Sequence, residues 1–273
     1  MDLPIFQIDA FIRRDTTMLS GNPAAVVPLR EWLTDEQMQA IAAENNLSET
    51  TFFVKQDDGR YFLRWFTPET EVDLCGHATL AAAHVIHQIL EDDRPELPLT
   101  CGVGDIPVAV IDDNGVAYEL NFPACAPEAV TGKRLLNQVS RALGKPVKSL
   151  HQSRDLIAVL ESEDDVLNCS PDQSQIAALD VFALAITARS NSEERDFVSR
   201  FFAPKQGIAE DPVTGSSFCS LGPLWAGLLE KEALSARQSS RRGGDIDLKV
   251  TAETVFIRGR TYHYMQGVIR IPD

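Results

Sequence analysis

The stretch Arg-Tyr-Phe-Leu-Arg-Trp-Phe-Thr-Pro at residues 60–68 is matched half a chain later by Asp-Phe-Val-Ser-Arg-Phe-Phe-Ala-Pro at residues 196–204. An arginine, a phenylalanine and a proline stand at the same places in both: Arg64, Phe66 and Pro68 in the first, Arg200, Phe202 and Pro204 in the second. The offset of 136 residues (200 − 64) is close to half of the 273-residue chain. Self-similarity at a fixed offset indicates a duplicated structural unit.

The residues after each copy are also alike. Each copy continues through an acidic loop into a glycine, Gly76 or Gly215, and then into an apolar segment of helical length. A helix that is apolar nearly all round is typical of one enclosed by other elements. The sequence therefore predicts an α+β protein with two similar β-rich lobes, each wrapped around a central helix. The expected lobes are residues 1–116, with a helix at about 77–90, and residues 117–273, with a helix at about 216–229 and the last ~10 residues returning to the first lobe.

Short segments rich in β-branched and aromatic residues supply the predicted strands. The candidates are 5–12, 51–54, 61–66 and 108–111 in the first half, and 118–122, 156–160, 182–188 and 197–202 in the second. A surface helix is predicted from Asp35 to Asn45, because Thr34 and Gln37 form a capping-box pattern and an apolar stripe follows.

The composition argues against several classes of protein. Lys and Arg number 25 against 40 Asp and Glu, which gives a formal net charge of −15. A surface this acidic repels phosphate backbones and anionic lipid, so neither nucleic acid nor a membrane is expected as a partner. No run reaches the roughly 18–20 apolar residues of a membrane span, and the first residues do not resemble a secretory signal. We expect a cytoplasmic protein.

The sequence gives no support for a metal or a cofactor. The five cysteines form no C-x-x-C pair, which argues against a structural zinc site and a dithiol redox motif. His84 and His87 lie one turn apart and follow His77 on the predicted helix, but this helix is otherwise apolar, so a metal face is not expected. Neither glycine-rich pattern that binds phosphate groups is present.

The glycine turns that open the two central helices are the first candidates for a site. A helix N-terminus presents unpaired N–H groups and the positive end of the helix dipole, which favour a bound carboxylate. Gly76 and Gly215 allow close approach of the backbone. Two such N-termini facing each other across a lobe interface would hold a small anion and stabilise negative charge as a proton leaves. The alternative is that Thr214 and Ser216 are helix caps only.

Glu49 is the candidate acid/base. Proton transfer at carbon requires a base held near the C–H bond and shielded from water. Glu49 leads directly into the apolar run Thr50–Val54, which is expected to shield it, although a solvated loop residue is the alternative. His77 and Asp211 stand beside the two helix starts, where they could bind polar groups of a substrate, and His77 could instead be a cap. Asn22 precedes Pro23, which is typical of a turn.

Six segments, taken in order, resemble the PhzF-like phenazine-biosynthesis family. They are Gly21-Asn22-Pro23-Ala24-Ala25-Val26, Ser48-Glu49-Thr50, Phe66-Thr67-Pro68, Cys75-Gly76-His77-Ala78-Thr79, Glu210-Asp211-Pro212-Val213-Thr214-Gly215-Ser216 and Ala236-Arg237-Gln238-Ser239-Ser240-Arg241-Arg242-Gly243-Gly244. Each motif alone is weak, but the combination is specific and spans most of the chain.

The resemblance implies the diaminopimelate epimerase-like fold and a cofactor-independent isomerase. It implies that Glu49 takes and redelivers a proton, with His77 and Asp211 as further catalytic residues. Four residues are implied to bind the substrate: Gly76 and Gly215 through their N–H groups, and Ser216 and Asn22. In the namesake enzymes the substrate is trans-2,3-dihydro-3-hydroxyanthranilate, homodimers are usual, and no metal or organic cofactor is required. For this chain we expect a small carboxylate-bearing substrate, with cyclic amino-acid-like compounds among the options.

Two other functions stay open. Racemases and epimerases that share this fold use two cysteines, one at each helix start. In this chain Cys75 precedes its glycine, whereas Cys219 lies four residues after Gly215, so the cysteines are not a matched pair. A non-catalytic protein that binds a small carboxylate is the remaining alternative. The chain also departs from many relatives at Phe218, where they have a histidine.

Overall fold

The computed structural model describes residues 1–112 and 116–271. The strands within them are β1 (Asp2–Ala10), β2 (Asn22–Leu29), β3 (Glu49–Lys55), β4 (Tyr61–Phe66), β5 (Glu71–Val72), β6 (Glu96–Leu97), β7 (Leu99–Cys101), β8 (Gly104–Asp105), β9 (Val108–Asp112), β10 (Val116–Pro123), β11 (Glu128–Val130), β12 (Val147–Gln152), β13 (Leu156–Leu160), β14 (Leu184–Arg189), β15 (Phe197–Ala203), β16 (Ile208–Asp211), β17 (Ala233–Gln238), β18 (Gly244–Val250) and β19 (Thr254–Arg270). The α-helices are α1 (Asp35–Asn45), α2 (Gly76–His84), α3 (Lys133–Leu143), α4 (Glu163–Leu167), α5 (Gln173–Ala177) and α6 (Phe218–Leu229). Val85–Ile89 forms a π-helical turn, and Pro204–Gln206 and Gly215–Ser217 form 3₁₀ turns.

The chain divides into two compact units, Met1–Asn121 together with Arg258–Asp273, and Phe122–Ile257. The division falls a few residues after the predicted boundary at 116/117. The returning segment begins at Arg258, earlier than predicted, because β19 is long and pairs with the whole of β1, from Asp2 with Arg270 to Ala10 with Thr261.

In the first unit, β2 pairs antiparallel with β1 and parallel with β3, and β3 pairs antiparallel with β4. β4 then pairs antiparallel with β5 and parallel with β7, which pairs antiparallel with β8. Every residue of α2 is buried, as expected for an apolar helix enclosed by other elements.

The second unit repeats this pattern strand for strand. β13 pairs antiparallel with β12 and parallel with β14, and β14 pairs antiparallel with β15. β15 then pairs antiparallel with β16 and parallel with β17, which pairs antiparallel with β18. The prediction of two similar β-rich lobes, each with its own central helix, is confirmed.

The repeated arginines make the same contacts in both units. Arg64 on β4 donates to Glu71 on β5 through Nε and Nη2, at 2.6 and 2.7 Å. Arg200 on β15 donates to Glu210 on β16 through the same two nitrogens, at 2.7 and 3.0 Å. Each guanidinium also lies over the ring of the phenylalanine two residues later, at 5.2 Å in one unit and 5.1 Å in the other. The short sequence match therefore corresponds to the same contact between neighbouring strands in both units: an arginine binds a glutamate on the next strand and lies over a phenylalanine ring.

Each unit has its own apolar core. Helix α1 packs Met38, Ile41 and Ala42 against β2 and β3, and it has the predicted bounds and the predicted capping box between Thr34 and Gln37. Helix α3 packs against the inward faces of β12 to β15 in the same way. In α6, Trp225 stacks on Phe197 with ring centroids 5.3 Å apart.

Two local predictions are wrong. Asn22 and Pro23 do not form a turn, because the chain reverses one residue earlier, at Gly21, and Asn22 opens β2. Gly21 has φ +79°, and a Cβ on it would lie 2.4 Å from the carbonyl oxygen of Ala10, so only glycine fits there. The helix predicted at 77–90 is α-helical only to His84, and its last turn is π-helical.

Candidate active site

Glu49 lies at the start of β3, directly after the turn that ends α1. Asn46 closes that helix in the left-handed conformation, with φ 50°. Because β3 runs parallel to β2, with Glu49 opposite Ala24, the first residues of the two strands lie at the same edge of the sheet. This register brings Glu49 close to Asn22 and to the N-terminus of α2.

His77, the second residue of α2, joins these groups. Its Nε2 lies 2.9 Å from Oε2 of Glu49, and the side chains are 6% and 13% exposed. Its Nδ1 lies 3.3 Å from Nδ2 of Asn22 and 3.4 Å from Sγ of Cys75. The Ser48 hydroxyl donates to Oδ1 of Asn22 at 3.0 Å, which sets the orientation of the amide. The structure thus brings together three predicted site residues, Glu49, His77 and Asn22.

The electrostatics of this cluster favour a charged imidazole. Burial opposes protonation of His77, but the charge of the Glu49 carboxylate and the hydrogen bond to the Cys75 sulfur outweigh it and raise the pKa of His77 well above its ordinary value. The Asn22 amide, turned with its NH₂ group toward Nδ1, favours the neutral ring, yet a dipole acts more weakly than the full charge of a carboxylate in a shielded site. Burial, together with the Glu49 charge, raises the pKa of the Cys75 thiol.

Glu49 and His77 meet as an ion pair without good hydrogen-bond alignment. Oε2 of Glu49 and Nε2 of His77 are both inaccessible to solvent, and neither has a hydrogen-bond partner among the described residues. A buried carboxylate oxygen without such a partner is costly in a purely structural role. The buried pair therefore points to a functional role of the Glu49 carboxylate.

The cluster contains three groups of the types that bind metal ions. Among the described residues, Glu49, Cys75 and His77 offer ligand atoms that lie within 4.8 Å of one another. However, Glu49 contacts Nε2 of His77, whereas Cys75 contacts Nδ1 on the other side of the ring. The two other donors therefore contact different ring nitrogens, although all three ligand atoms stay within that distance. The expectation of no metal stays a prediction.

In the second unit, Asp211 ends β16 and lies beside the start of the 3₁₀ turn that leads into α6. Its Oδ2 accepts a hydrogen bond from the Thr214 hydroxyl. Gln238 holds both residues, because its Nε2 donates to the Asp211 carbonyl at 2.8 Å and its Oε1 accepts from the Thr214 N–H at 2.9 Å. Thr214 therefore binds Asp211 with its hydroxyl and does not cap the helix.

Ser216 lies beside a cation that the sequence did not point to. Nη2 of Arg154 donates to Oγ of Ser216 at 3.1 Å. The guanidinium is fixed by two hydrogen bonds to Asp155, at 3.0 and 2.7 Å, and lies 5.3 Å from the ring centroid of Phe182. The Arg154 side chain is half exposed, so it can still reach a ligand.

The starts of the two central helices lack side-chain caps. Cys75 precedes α2 and Thr214 precedes the 3₁₀ turn, and neither makes a capping hydrogen bond within the described residues. Gly76 and Gly215 follow them and are both buried. Uncapped N–H groups beside a small residue are suited to binding an anion.

The two units differ in their carboxylates. In the first unit Thr50 pairs with Phe66, and in the second Leu184 pairs with Phe202, so Ala183 is the counterpart of Glu49. Similarly, Asp211 pairs with Phe201 where Val72 pairs with Trp65, so Val72 is the counterpart of Asp211. Each unit therefore carries one acidic group that its duplicate lacks.

His84 and His87 do not converge as a metal face. Nδ1 of His84 lies 2.8 Å from the Thr261 hydroxyl, and Nδ1 of His87 lies 3.1 Å from the Tyr118 hydroxyl. Burial, with His263 and His87 nearby, lowers the pKa of His84 to about 4. Both histidines thus have local hydroxyl partners.

Four contacts in the two clusters were missed from the sequence. They involve Ser48, Cys75, Arg154 and Gln238. Ser48, Cys75 and Gln238 stand inside motifs that resemble the family, but Arg154 lies in a short Ser-Arg-Asp turn before a strand. Nothing in its local sequence indicates that it would reach a residue 62 positions later.

Comparisons with known proteins identify the family. The family model described as "phenazine biosynthesis-like protein" (PhzC-PhzF) matches residues 8–267 of this chain. An uncharacterized isomerase of Pseudomonas aeruginosa is 44% identical over 272 residues, which cover 99% of this chain and all of that protein. A crystal structure of a phenazine biosynthesis PhzF-family protein from Enterococcus faecalis is 40% identical, with a TM-score of 0.92 over 99% of this chain and all of that one.

A more distant structure supports the fold alone. The hydroxyproline epimerase of Agrobacterium vitis is 9% identical, with a TM-score of 0.59 over all of this chain and 93% of that one. The fold is therefore diaminopimelate epimerase-like, as predicted, and the class of protein is an isomerase. The chain belongs to the phenazine biosynthesis-like, or PhzF, family. Every helix in the described part of the chain is too short or too polar to span a membrane.

Proposed function

We propose that the chain is a cofactor-independent isomerase in which Glu49 removes a proton from carbon on a small carboxylate-bearing substrate and returns it at another position. One observation carries the proposal. A carboxylate oxygen without a hydrogen-bond partner lies 2.9 Å from a buried imidazole, in the segment where the family resemblance implies the acid/base. A shielded base held in one orientation is what proton abstraction from carbon requires.

His77 has two roles in this proposal. Its contact with Oε2 orients the Glu49 side chain, and Asn22 and Cys75 hold the other side of the imidazole ring. As an imidazolium it also stabilises the negative charge that develops on the substrate while the proton is on Glu49. No external cofactor is needed for such a step, because the same group takes and returns the proton.

We assign substrate binding to the two helix starts and to Arg154. The N–H groups at Gly76 and Gly215 and the Ser216 hydroxyl are suited to a carboxylate, and the Arg154 guanidinium beside Ser216 adds a positive charge. Asn22 contributes an amide in the first unit. Asp211, an acceptor held by Thr214, is suited to an amino or hydroxyl group. Within the second unit, Arg154, Ser216 and Asp211 favour a substrate that carries both an acidic and a hydrogen-donating group.

The two-thiol racemase receives less support. At the start of α2 the residue before glycine is Cys75, but the corresponding residue in the second unit is Thr214. The raised pKa of Cys75 also keeps it as a thiol, which is a poor base. These observations favour a carboxylate over a pair of thiolates as the proton-transfer group.

The test is proton exchange in D₂O, followed by NMR with trans-2,3-dihydro-3-hydroxyanthranilate as the probe. We expect the natural protein to incorporate deuterium and to isomerise the probe. Glu49→Gln should slow both at least ~100-fold while binding changes little, because the amide keeps the shape but cannot carry the proton. The matched control is Glu44→Gln, since Glu44 is exposed on α1 and should leave the rate unchanged.

The outcomes separate the three functions. Turnover retained by Glu49→Gln would remove Glu49 from the mechanism. Binding of the probe without exchange in the natural protein would favour a non-catalytic carboxylate-binding protein. Loss of exchange after alkylation of Cys75 but not after Glu49→Gln would favour a thiol-based reaction.

A further inference from the structure

A proline inside helix α6 leaves one backbone carbonyl without its helical partner. The carbonyl of residue i normally accepts a hydrogen bond from the N–H of residue i+4. Pro223 lies four residues after Cys219 and has no N–H, so it cannot bond the Cys219 carbonyl. The N–H of Cys125 donates to that carbonyl instead, at 2.9 Å. Because Pro223 cannot bond the Cys219 carbonyl, this hydrogen bond from Cys125 can form, and it anchors the loop after β10 to the first turn of α6.

This hydrogen bond brings two cysteines together that are far apart in sequence. A single N–H···O=C bond of 2.9 Å limits the separation of the two Cα atoms to about 6.8 Å, because the amide nitrogen lies about 1.5 Å and the carbonyl oxygen about 2.4 Å from its own Cα atom. Disulfides span Cα separations of about 4.4–6.8 Å. The backbone contact therefore places Cys125 and Cys219 in the range that a disulfide needs. Both residues lie in the second unit.

The two thiols also differ from the other three in exposure. Cys125 is exposed and Cys219 is partly exposed, whereas Cys75, Cys101 and Cys169 are buried. Burial lowers the pKa of Arg154, but Asp155 outweighs this effect and the pKa is raised overall. The Cys219 and Cys125 sulfurs raise this pKa to a smaller extent. Both sulfurs therefore lie close enough to the Arg154 guanidinium to interact with its charge.

We propose that Cys125 and Cys219 are a modification site, at which a hydroperoxide converts the two thiols into a disulfide. The exposed Cys125 sulfur attacks the peroxide, its O–O bond breaks, and a sulfenic acid and water form when the oxidant is hydrogen peroxide. The Cys219 sulfur then attacks the sulfenic sulfur and expels a second water. Two thiols lose two electrons and two protons in total, and one peroxide is reduced to two waters.

The site is separate from the proposed proton-transfer cluster but adjoins a substrate-binding element. Cys219 follows Ser216 by three residues, and Arg154 contacts Ser216. A disulfide would tie the loop that holds Cys125 to the first turn of α6, which directly follows the 3₁₀ turn that carries Ser216. The inference does not depend on the proposed isomerase, because the covalent bond is detected without any substrate.

The second step should be strongly pH-dependent. Burial raises the pKa of Cys219 to about 12, and Cys125 and Asp155 act in the same direction while the Arg154 charge opposes them. Since the thiolate is the attacking species, we expect disulfide formation to be roughly 10-fold faster for each pH unit between 7 and 9.

The experiment treats the intact protein with hydrogen peroxide, alkylates it after unfolding, and maps the peptides by mass spectrometry. Untreated protein should give five alkylated cysteines, and the oxidised protein three (5 − 2), together with a peptide pair linked through Cys125 and Cys219. Dithiothreitol should restore all five. Five alkylated cysteines after treatment, or a link between any other pair, would overturn the proposal.

Two variants and a control make the test specific. Cys125→Ser should keep all four remaining thiols after peroxide, Cys219→Ser should keep three and carry a sulfenic acid on Cys125, and Cys101→Ser should still lose two to the disulfide. Trapping with dimedone reports the intermediate. A sulfenic acid that accumulates on Cys125 at pH 9 without ever forming the disulfide would show that the sulfurs do not meet.

Discussion

At the scale of single residues, His77 is the side chain on which the first cluster depends. One ring nitrogen faces the carboxylate of Glu49, and the other faces Asn22 and Cys75, so three segments of the chain meet at one imidazole. Because His77 is buried, its charge state also couples folding to pH. The cluster is therefore open to test by stability measurements alone.

The pKa of His77 is raised in the folded state, so the unfolding free energy should change with pH in a direction that can be measured. A raised pKa means that the folded protein holds the proton more tightly, so the stabilisation is fully present below the unfolded-state pKa of about 6.5. It is lost as the pH rises through the folded-state pKa. We expect the unfolding free energy of the natural protein, relative to His77→Asn, to be largest near pH 6 and to fall at alkaline pH.

Urea unfolding of both proteins between pH 5.5 and 10 measures this difference. His151→Asn is the control, because burial lowers the pKa of that histidine and its stability should change in the opposite direction. A difference between the natural protein and His77→Asn that does not vary with pH would mean that the pKa of His77 is the same in the folded and unfolded states.

The sequence predicted residues better than it predicted their contacts. Glu49, His77 and Asn22 stood out because they lie in motifs or at element boundaries, and the structure brings them together. Arg154 did not stand out, because its link to Ser216 spans 62 positions and depends on strand order. Register and strand order arise from tertiary packing, which a local pattern does not carry.

At the scale of secondary-structure elements, prediction succeeded where the signals were local. Helix α1 was predicted with its bounds and cap because the capping box and apolar stripe lie within its own residues. Strand β2 was missed because Asn22 and Pro23 favour turns when considered alone. The turn is set instead by Gly21 and the carbonyl of Ala10, from a different strand.

Helix α6 contains one buried and one exposed glycine, so alanine substitutions at the two positions separate the effect of packing on stability from the effect of helix propensity. A Cβ at the buried Gly222 would lie 3.2 Å from Cγ2 of Val250, whereas a Cβ at the exposed Gly227 would meet nothing within 4 Å. We expect Gly227→Ala to raise the unfolding free energy by about 0.5–1 kcal/mol through propensity. Gly222→Ala should be less stable than Gly227→Ala by about 1–3 kcal/mol, since its methyl group overpacks the contact with β18.

Urea unfolding monitored by fluorescence gives both values, because Trp225 lies in the same helix. If the two alanines had the same effect, the close contact at Gly222 would be absent in solution. A gain at Gly222 larger than at Gly227 would indicate a cavity beside the helix.

At the scale of the whole molecule, the duplication could be detected in the sequence because both copies keep the arginine and phenylalanine that make the same contact between neighbouring strands. Arg64 and Arg200 each bind a glutamate on the following short strand and lie over a phenylalanine. The duplicates are not equivalent, however. Arg200 also donates to the carbonyls of Val166 and Cys169, at 3.1 and 2.6 Å, whereas Arg64 pairs with Asp35 at the start of α1.

This difference predicts unequal stabilities for matched substitutions. Arg200→Ala should lower the unfolding free energy by about 2–4 kcal/mol, because it removes the cation that binds a partly buried glutamate and donates to two carbonyls. Arg64→Ala should cost only about 0.5–1.5 kcal/mol, since its partners are more exposed to water. Equal costs in urea unfolding would mean that the two carbonyl contacts contribute nothing.

The unequal carboxylates of the two units have a consequence for stereochemistry. Ala183 holds the position in the second unit that corresponds to Glu49, so the proposed base has no carboxylate counterpart there. Inversion at a single carbon calls for a donor and an acceptor on opposite faces of the substrate. A lone base that both takes and returns the proton works suprafacially, and it moves the hydrogen from one carbon to another on the same face. Under the proposed function, the unequal carboxylates of the two units therefore favour the shift of a double bond over inversion at one carbon.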